Sequence, residues 1–300
     1  MNILLTGSNG FLGQIIMNIL GREHQIFGLS RNSGNYKVSL DTQIPTFSHA
    51  FDIVIHAAGK AHSVPKNDIE KQEFYKTNVI GTKNLLLGLE NTSLPKQFIF
   101  ISSVSVYGQE IGDNINEDHS LDAKDPYGVS KINAEKIILD WCEENKIICT
   151  ILRLPLLIGK NPPGNLGAMI RAINEGYYFN IDGGRAHKSM VLAEDVAAFI
   201  PKLASIDGVY NLTDGIHPNF YELSKAISKQ KNKKLPFNLP IIIAKCMALV
   251  GDLIGVNAPI NSPKLKRITS NLTFDDTKAI EQLAWKPQNV LMYLRDNELE

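Results

Sequence analysis

Residues Thr6-Gly7-Ser8-Asn9-Gly10-Phe11-Leu12-Gly13 follow a short apolar run, Ile3-Leu4-Leu5, and decide the fold. Glycines at this spacing place a tight turn between a buried strand and a helix N-terminus, where unpaired N–H groups and the helix dipole favour a pyrophosphate. Far downstream, Tyr127-Gly128-Val129-Ser130-Lys131 sets a phenol and an ammonium four residues apart on one helix face. A glycine-rich turn alone is also an ordinary loop, and a Tyr/Lys pair alone is an ordinary solvated helix face. Their order and separation along one chain point to a nucleotide-cofactor enzyme.

Further apolar runs suited to buried parallel strands recur at Ile26 to Leu29, Ile53 to Ile55, Phe98 to Ile101 and Ile147 to Leu152. Helices are expected at Phe11 to Leu20, Asp68 to Glu90 and Pro126 to Glu144, the last with Asp125 as N-cap and Pro126 in its first turn. This alternation predicts an α/β fold with a doubly wound parallel sheet of Rossmann type, in which strand ends face the ligand crevice. After residue 160 the pattern changes at the breaker-rich Asn161-Pro162-Pro163-Gly164-Asn165, followed by a helix near Leu166 to Glu175. Residues 1–160 are therefore read as the dinucleotide-binding domain. Residues 161–300 are read as a smaller α/β region closing over the substrate, with about 188–213, including a strand at Val209 to Leu212, returning to the first domain.

The 300 residues are 44% hydrophobic and carry no formal net charge, enough for a large core. The Lys229 to Lys234 cluster is short, so neither nucleic acid nor an acidic membrane surface is expected as a partner. Cys142, Cys149 and Cys246 form no CxxC pair and none is joined to a His at metal-ligand spacing, so no metal is expected and a reducing cytoplasm is. The most membrane-like stretch, Leu239 to Val256, is opened by Pro240 and interrupted by Lys245 and Asp252, so it reads as a buried or amphipathic helix rather than a span. His56 and His62 are read as structural.

The chain resembles the extended short-chain dehydrogenases/reductases of the nucleotide-sugar epimerase, dehydratase and reductase branch. The matching residues are the TGxxGxxG turn, His56-Ala57-Ala58-Gly59, Asn78-Val79-Ile80-Gly81-Thr82, Ser102-Ser103-Val104-Ser105-Val106-Tyr107-Gly108, and Tyr127 with Lys131. The resemblance implies that Tyr127 is the general acid/base, that Lys131 holds the cofactor ribose and lowers the phenol pKa, and that Ser103 hydrogen-bonds the reacting oxygen. It implies a cofactor site at Gly7, Gly10, Phe11, Leu12, Gly13, Ala57, Ala58, Gly59 and Asn78, together with Tyr127 and Lys131. For the substrate it implies Ser103, Ser105 and Tyr127 at the sugar, with Asn165, Leu166, Lys188 and Arg267 at the diphosphate.

An acidic residue at the end of the second strand would bind the ribose hydroxyls of NAD, whereas Arg31 suits the 2′-phosphate of NADP. NADP(H) is therefore the expected cofactor, with NAD(H) the alternative. Val104-Ser105 stands where the family's dehydratases carry an Asp-Glu pair, which argues against dehydration. Arg153-Leu154-Pro155-Leu156-Leu157-Ile158-Gly159 departs from the Arg-Tyr-Phe-Asn-Pro form of hexose 4-epimerases. With Leu272 to Asp275 and Leu283-Ala284-Trp285-Lys286-Pro287, it is more like reductases of 4-keto-6-deoxy-N-acetylhexosamine nucleotides. The preferred expectation is an NADPH-dependent reductase acting at C4 of a UDP-linked sugar. A 4-epimerase retaining NAD is the runner-up, a non-enzymatic NADP-sensing regulator the remote alternative, and a homodimer the expected assembly if there is one.

Overall fold

The computed structural model describes all residues except 62–64, 66, 256–257 and 298–300, so His62 lies outside the described residues. The first half runs β1 (Asn2–Thr6), α1 (Phe11–Leu20), β2 (Gln25–Ser30), β3 (Tyr36–Lys37), β4 (Ile53–His56), α2 (Asp68–Tyr75), α3 (Gly81–Glu90), β5 (Gln97–Ser103), β6 (Gly112–Ile115), α4 (Pro126–Asn145) and β7 (Ile148–Leu154). The second runs β8 (Leu156–Ile158), α5 (Gly164–Glu175), β9 (Phe179–Ile181), β10 (Met190–Leu192), α6 (Ala193–Phe199), β11 (Gly208–Asn211), α7 (Phe220–Gln230), β12 (Phe237–Leu239), α8 (Ile241–Ile254), α9 (Ser262–Thr269), β13 (Leu272–Phe274), α10 (Thr277–Leu283) and α11 (Val290–Asp296).

Seven parallel strands form the main sheet in the order β11-β7-β5-β4-β1-β2-β3. Successive side chains on each strand feed opposite faces. Ile3, Leu5, Ile99 and Ile101 pack on one side with α1 and α6, while Leu4, Phe98 and Phe100 pack on the other with α3 and α4. Covering both faces makes the strands near-continuous apolar runs, the pattern visible in the sequence. The order reverses between β1 and β4, and the crevice at that switch point collects the strand ends.

The C-terminal part builds its own core, in which Leu166, Ile170 and Ile173 of α5 meet Leu223 and Ile227 of α7 and Val290 and Leu294 of α11. β11 completes the main sheet beside β7, and α6 packs on α1. Three two-stranded pairs, β8 with β10, β9 with β12 and β6 with β13, are too short to leave a periodic trace in the sequence.

Two expectations need correction. The helix read over Asp68 to Glu90 is two α-helices joined by a π turn, Lys76–Ile80, which contains Asn78. Within the stretch read as a helix from Leu239 to Val256, Ile241–Ile254 form α8, which buries only Ala244, Ala248 and Gly251 while its large apolar residues face outward.

Beneath the C-terminal ends of β5 and β7 lies a buried polar network. Arg153 and Glu135, 5% and 2% exposed, pair with Nη2 2.8 Å from Oε2, and Ser102 donates to the same carboxylate. The guanidinium donates to the Tyr107 hydroxyl at 3.1 Å, which donates to Asn211 Oδ1 at 2.8 Å, joining β5, β7, β11 and α4. Removing one partner strands a buried charge. Glu135→Ala should therefore cost about 3–5 kcal/mol in urea unfolding, and Glu135→Leu combined with Arg153→Met should recover most of it. A loss below about 1 kcal/mol for Glu135→Ala would show that water reaches the pair.

Candidate functional site

The glycine turn is shaped by close approach. Gly7 has φ +70°, and a Cβ there would lie 2.7 Å from the Ala58 nitrogen. A Cβ on Gly13 would lie 2.1 Å from the Gly7 carbonyl oxygen, so only glycine lets α1 start against the turn. Gly10 is the N-cap of α1 and supplies no side-chain hydrogen bond, which leaves the first-turn amides open to a ligand oxygen.

A cleft of about 280 Å3 opens in front of this turn. Gly7, Gly10, Ala57, Ala58, Gly59 and Arg31 all line it, six of the expected cofactor residues in one wall. The side chain of Leu12 is buried in the core, Phe11 packs against it and Gly13 faces the turn, so these three reach a ligand through first-turn backbone only. Asn9, Ser30, Asn32, Val38, Leu40, Asp41 and Thr77 also line the cleft and were missed. Asn9, Ser30 and Asn32 adjoin recognised positions. Val38, Leu40 and Asp41 come from the loop after β3, which carries no motif.

Asn78 stands behind the cleft. From the π turn its Oδ1 accepts the Lys60 N–H at 2.7 Å, and its Nδ2 donates to Ser130 Oγ at 2.8 Å and the Lys60 carbonyl at 3.1 Å. It ties the loop after β4 to α4, the helix that carries Tyr127 and Lys131.

His56 is structural, as its sequence context implies. Thr82 Oγ1 donates to the Asn78 carbonyl at 2.6 Å, so it accepts from His56 Nε2, 2.9 Å away. His56 Nδ1 then accepts from Thr6 Oγ1 at 2.6 Å, and Thr6 accepts the Ala58 N–H at 3.1 Å. Every hydrogen in this chain has one place. Burial first, and the Lys131 charge second, push the His56 pKa down to about 3, which keeps the ring neutral.

α4 begins where Asp125 accepts the N–H groups of Tyr127 at 3.1 Å and Gly128 at 3.0 Å. Tyr127 is partly exposed, 6.2 Å between ring centroids from Phe74, with Ser103 at the end of β5 near its phenol. Burial raises the phenol above its ordinary value, the Ser103 hydrogen bond pulls it back, and the Asp125 carboxylate raises it again. Lys131 Nζ donates to the Ile101 carbonyl at 2.8 Å, sits over the Phe100 ring at 4.5 Å and stands beside Gly59. The ammonium is thus turned to the β5 carbonyl and the cleft wall. The phenol is held protonated.

The substrate-side residues are more scattered. The Ser105 hydroxyl is buried without a hydrogen-bond partner among the described residues, next to Ser103. Lys188 Nζ donates to the Arg267 and Ser270 carbonyls, both at 2.9 Å, at the end of α9, and burial lowers its pKa to about 8. Arg267 is exposed and paired with Glu110, its Nε donating to Oε1 at 2.9 Å. Lys188 and Arg267 are therefore neighbours. Asn165 is exposed in the first turn of α5, whereas the Leu166 side chain is 2% exposed in the C-terminal core and could offer a ligand only its amide.

The model of the NAD dependent epimerase/dehydratase family matches residues 3–212. The chain belongs to this family. A similar curated protein is the N-acetyl-α-D-glucosaminyl-diphospho-ditrans,octacis-undecaprenol 4-epimerase of Escherichia coli O157:H7, 27% identical and covering 92% of this chain and 88% of the relative. Another is the UDP-glucose 4-epimerase of Vibrio cholerae, 26% identical over 97% of this chain and 92% of the relative. Among solved structures, a UDP-glucose 4-epimerase from Thermotoga maritima with UDP-glucose superposes with a TM-score of 0.77 at 23% identity, covering 98% of this chain and 96% of that one. The protein is an NAD(P)-binding enzyme of the short-chain dehydrogenase type, and its relatives include epimerases and reductases of activated sugars as well as a sterol-4-α-carboxylate 3-dehydrogenase.

In this family member Lys131 folds with its value lowered from 10.5 to about 8 by burial, the nearby Glu135 opposing. The unfolded chain then binds more protons between those values, so stability rises as pH climbs from about 8 toward 10.5. Lys131→Met should flatten this rise, each unit of the window being worth about 1.4 kcal/mol, with Lys188 supplying what remains. Urea midpoints at about pH 7.5 and 9.5 measure it. An unchanged rise would mean the ammonium is as well solvated folded as unfolded.

Proposed function

We propose that this family member reduces the C4 carbonyl of a UDP-linked 4-keto-6-deoxy-N-acetylhexosamine, with NADPH as cofactor and a cytoplasmic location. The observation that carries the reading is the Tyr127 phenol, held protonated by burial with Ser103 beside it. A protonated phenol is the form a carbonyl oxygen needs as it gains charge. The cleft fits a dinucleotide: its glycine cradle would be filled by a Cβ, and the α1 amides beside it are uncapped. When bound, NADPH supplies the hydride. Tyr127 donates its proton to the substrate oxygen, Ser103 orients that oxygen, and Lys131 binds the ribose. Arg31 pairs with the 2′-phosphate. Asn165, the Leu166 amide, Lys188 and Arg267 receive the diphosphate.

The second reading is 4-epimerisation with retained NAD, which the names of the relatives from Escherichia coli and Vibrio cholerae favour. Bound dinucleotide separates the two. Protein purified without added cofactor should be free of it under the first reading and carry tightly held NAD under the second, as the absorbance and chromatography of a heat-released extract would show.

Tyr127→Phe keeps the ring packed against Phe74 and should lower turnover by about a hundred to ten thousand fold with dinucleotide affinity unchanged. A fall of less than about tenfold would remove the phenol from the chemistry. Arg31→Ala should erase most of a preference for NADPH over NADH amounting to about 1.5–3 kcal/mol in calorimetry. Equal affinities in the parent protein would leave Arg31 as a loop residue.

A further inference from the structure

The helix α8 is inside out. Its buried stripe is made of small residues, Ala244, Ala248 and Gly251, and a Cβ on Gly251 would lie 1.8 Å from the Ile260 carbonyl oxygen, so the helix is pressed close to the loop leading into α9. Its large apolar residues point away, with Leu253 89% exposed, Ile242 73%, Leu249 65%, Ile254 63% and Val250 60%. At about 100° per residue these side chains fill an uninterrupted arc of about 140° opposite the small stripe, and Lys245 and Asp252 stand together on one flank. The approach to the helix continues the surface: Phe237 is 71% exposed and pairs in register with Phe179. Isolated exposed leucines need no explanation, but a contiguous patch of this kind marks a docking face.

The charge around the patch identifies what docks. Between residues 223 and 274 the chain carries nine Lys and Arg and a single carboxylate, Asp252, which is taken up by the Ser262 N–H at 2.9 Å and its hydroxyl. The chain as a whole has no net charge, so the rest of it is negative. Lys233, Lys234 and Lys245 are exposed next to the apolar residues. A symmetric contact between two copies would set this basic surround against itself, whereas an anionic lipid surface complements it. The helix has 14 residues, about 21 Å, short of the ~30 Å hydrocarbon layer, and among the described residues no helix is long and apolar enough to cross a membrane. It fits a helix lying in the headgroup plane.

We propose that α8, with Phe237 and the lysines at its approach, docks this enzyme onto an anionic lipid bilayer. Zero net charge and a short Lys229 to Lys234 cluster argued against such a partner in the sequence, but the fold leaves Lys233, Lys234 and Lys245 exposed at one apolar face. Docking does not depend on the reaction proposed above. It would hold α9, with Arg267 and the carbonyls that bind Lys188, near the headgroup layer, and only that consequence rests on the diphosphate assignment.

The test is co-sedimentation of the full chain with phosphatidylglycerol-containing vesicles and with pure phosphatidylcholine vesicles. The anionic vesicles should retain the protein, less so at high salt. Leu249→Glu with Leu253→Glu should weaken retention about tenfold or more, and Lys233→Glu with Lys234→Glu should weaken it on anionic vesicles alone. All these side chains are exposed, so circular dichroism and dinucleotide affinity should match the parent. Failure of the parent to bind anionic vesicles, or equal binding by the leucine variant, overturns the proposal. So does a leucine variant that turns a dimer into a monomer in sedimentation velocity without changing vesicle retention, because the occupant would then be a second copy.

Discussion

Two pieces of backbone, the turn after β1 and the end of β4, approach so closely that no side chain fits between them, and the rest of the site is arranged around that contact. Gly7 lies against Ala57 and Ala58, and Gly13 lies against Gly7. The approach is held by a side-chain chain running Ala58, Thr6, His56, Thr82 and Asn78, in which a neutral imidazole both donates and accepts. Asn78 extends it to Lys60 and Ser130. The cofactor turn and the helix bearing Tyr127 are thus two ends of one hydrogen-bonded run. A fully satisfied buried network of this kind favours a single arrangement over near alternatives.

Burial governs the electrostatics of the groups behind the cleft. Desolvation lowers the basicity of His56 and Lys131 and raises the pKa of Tyr127, so each group is pushed toward its uncharged form. A site tuned this way gains much from any charge introduced into it, because little water is present to screen the interaction. The Ser103 hydroxyl is the group that works against burial at the phenol, which is why its position at the exact end of a buried strand matters.

The sheet was legible because parallel strands covered on both faces must be apolar at every position, and five such runs appear in the sequence where β1, β2, β4, β5 and β7 lie. α4 was legible from Asp125 and Pro126, whose capping roles are local. The minor strands were not, because two to four residues cannot display a period. The true environment of Lys131 was also hidden: four-residue spacing puts Tyr127 and Lys131 on one face but does not say that the Ile101 carbonyl captures the ammonium. For α8 composition misled, since an apolar helix is normally assigned to the core, and only the contact with the Ile260 carbonyl shows that the small residues are the ones turned inward.

The π turn at Lys76–Ile80 has a consequence for how the family member can vary in length. Such a turn is an α-helix with one residue too many, so deleting a residue there would yield a regular helix at no cost in backbone hydrogen bonds. The deletion would, however, rotate α2 against α3 by about 100° and slide it by about 1.5 Å. Phe74, 1% exposed and set against the Tyr127 ring, would swing away from it, and Lys60 would lose its link to Glu73. The surplus residue thus acts as a phase lock between two half-helices, and the chain is less tolerant of a one-residue gap here than in the loops on either side.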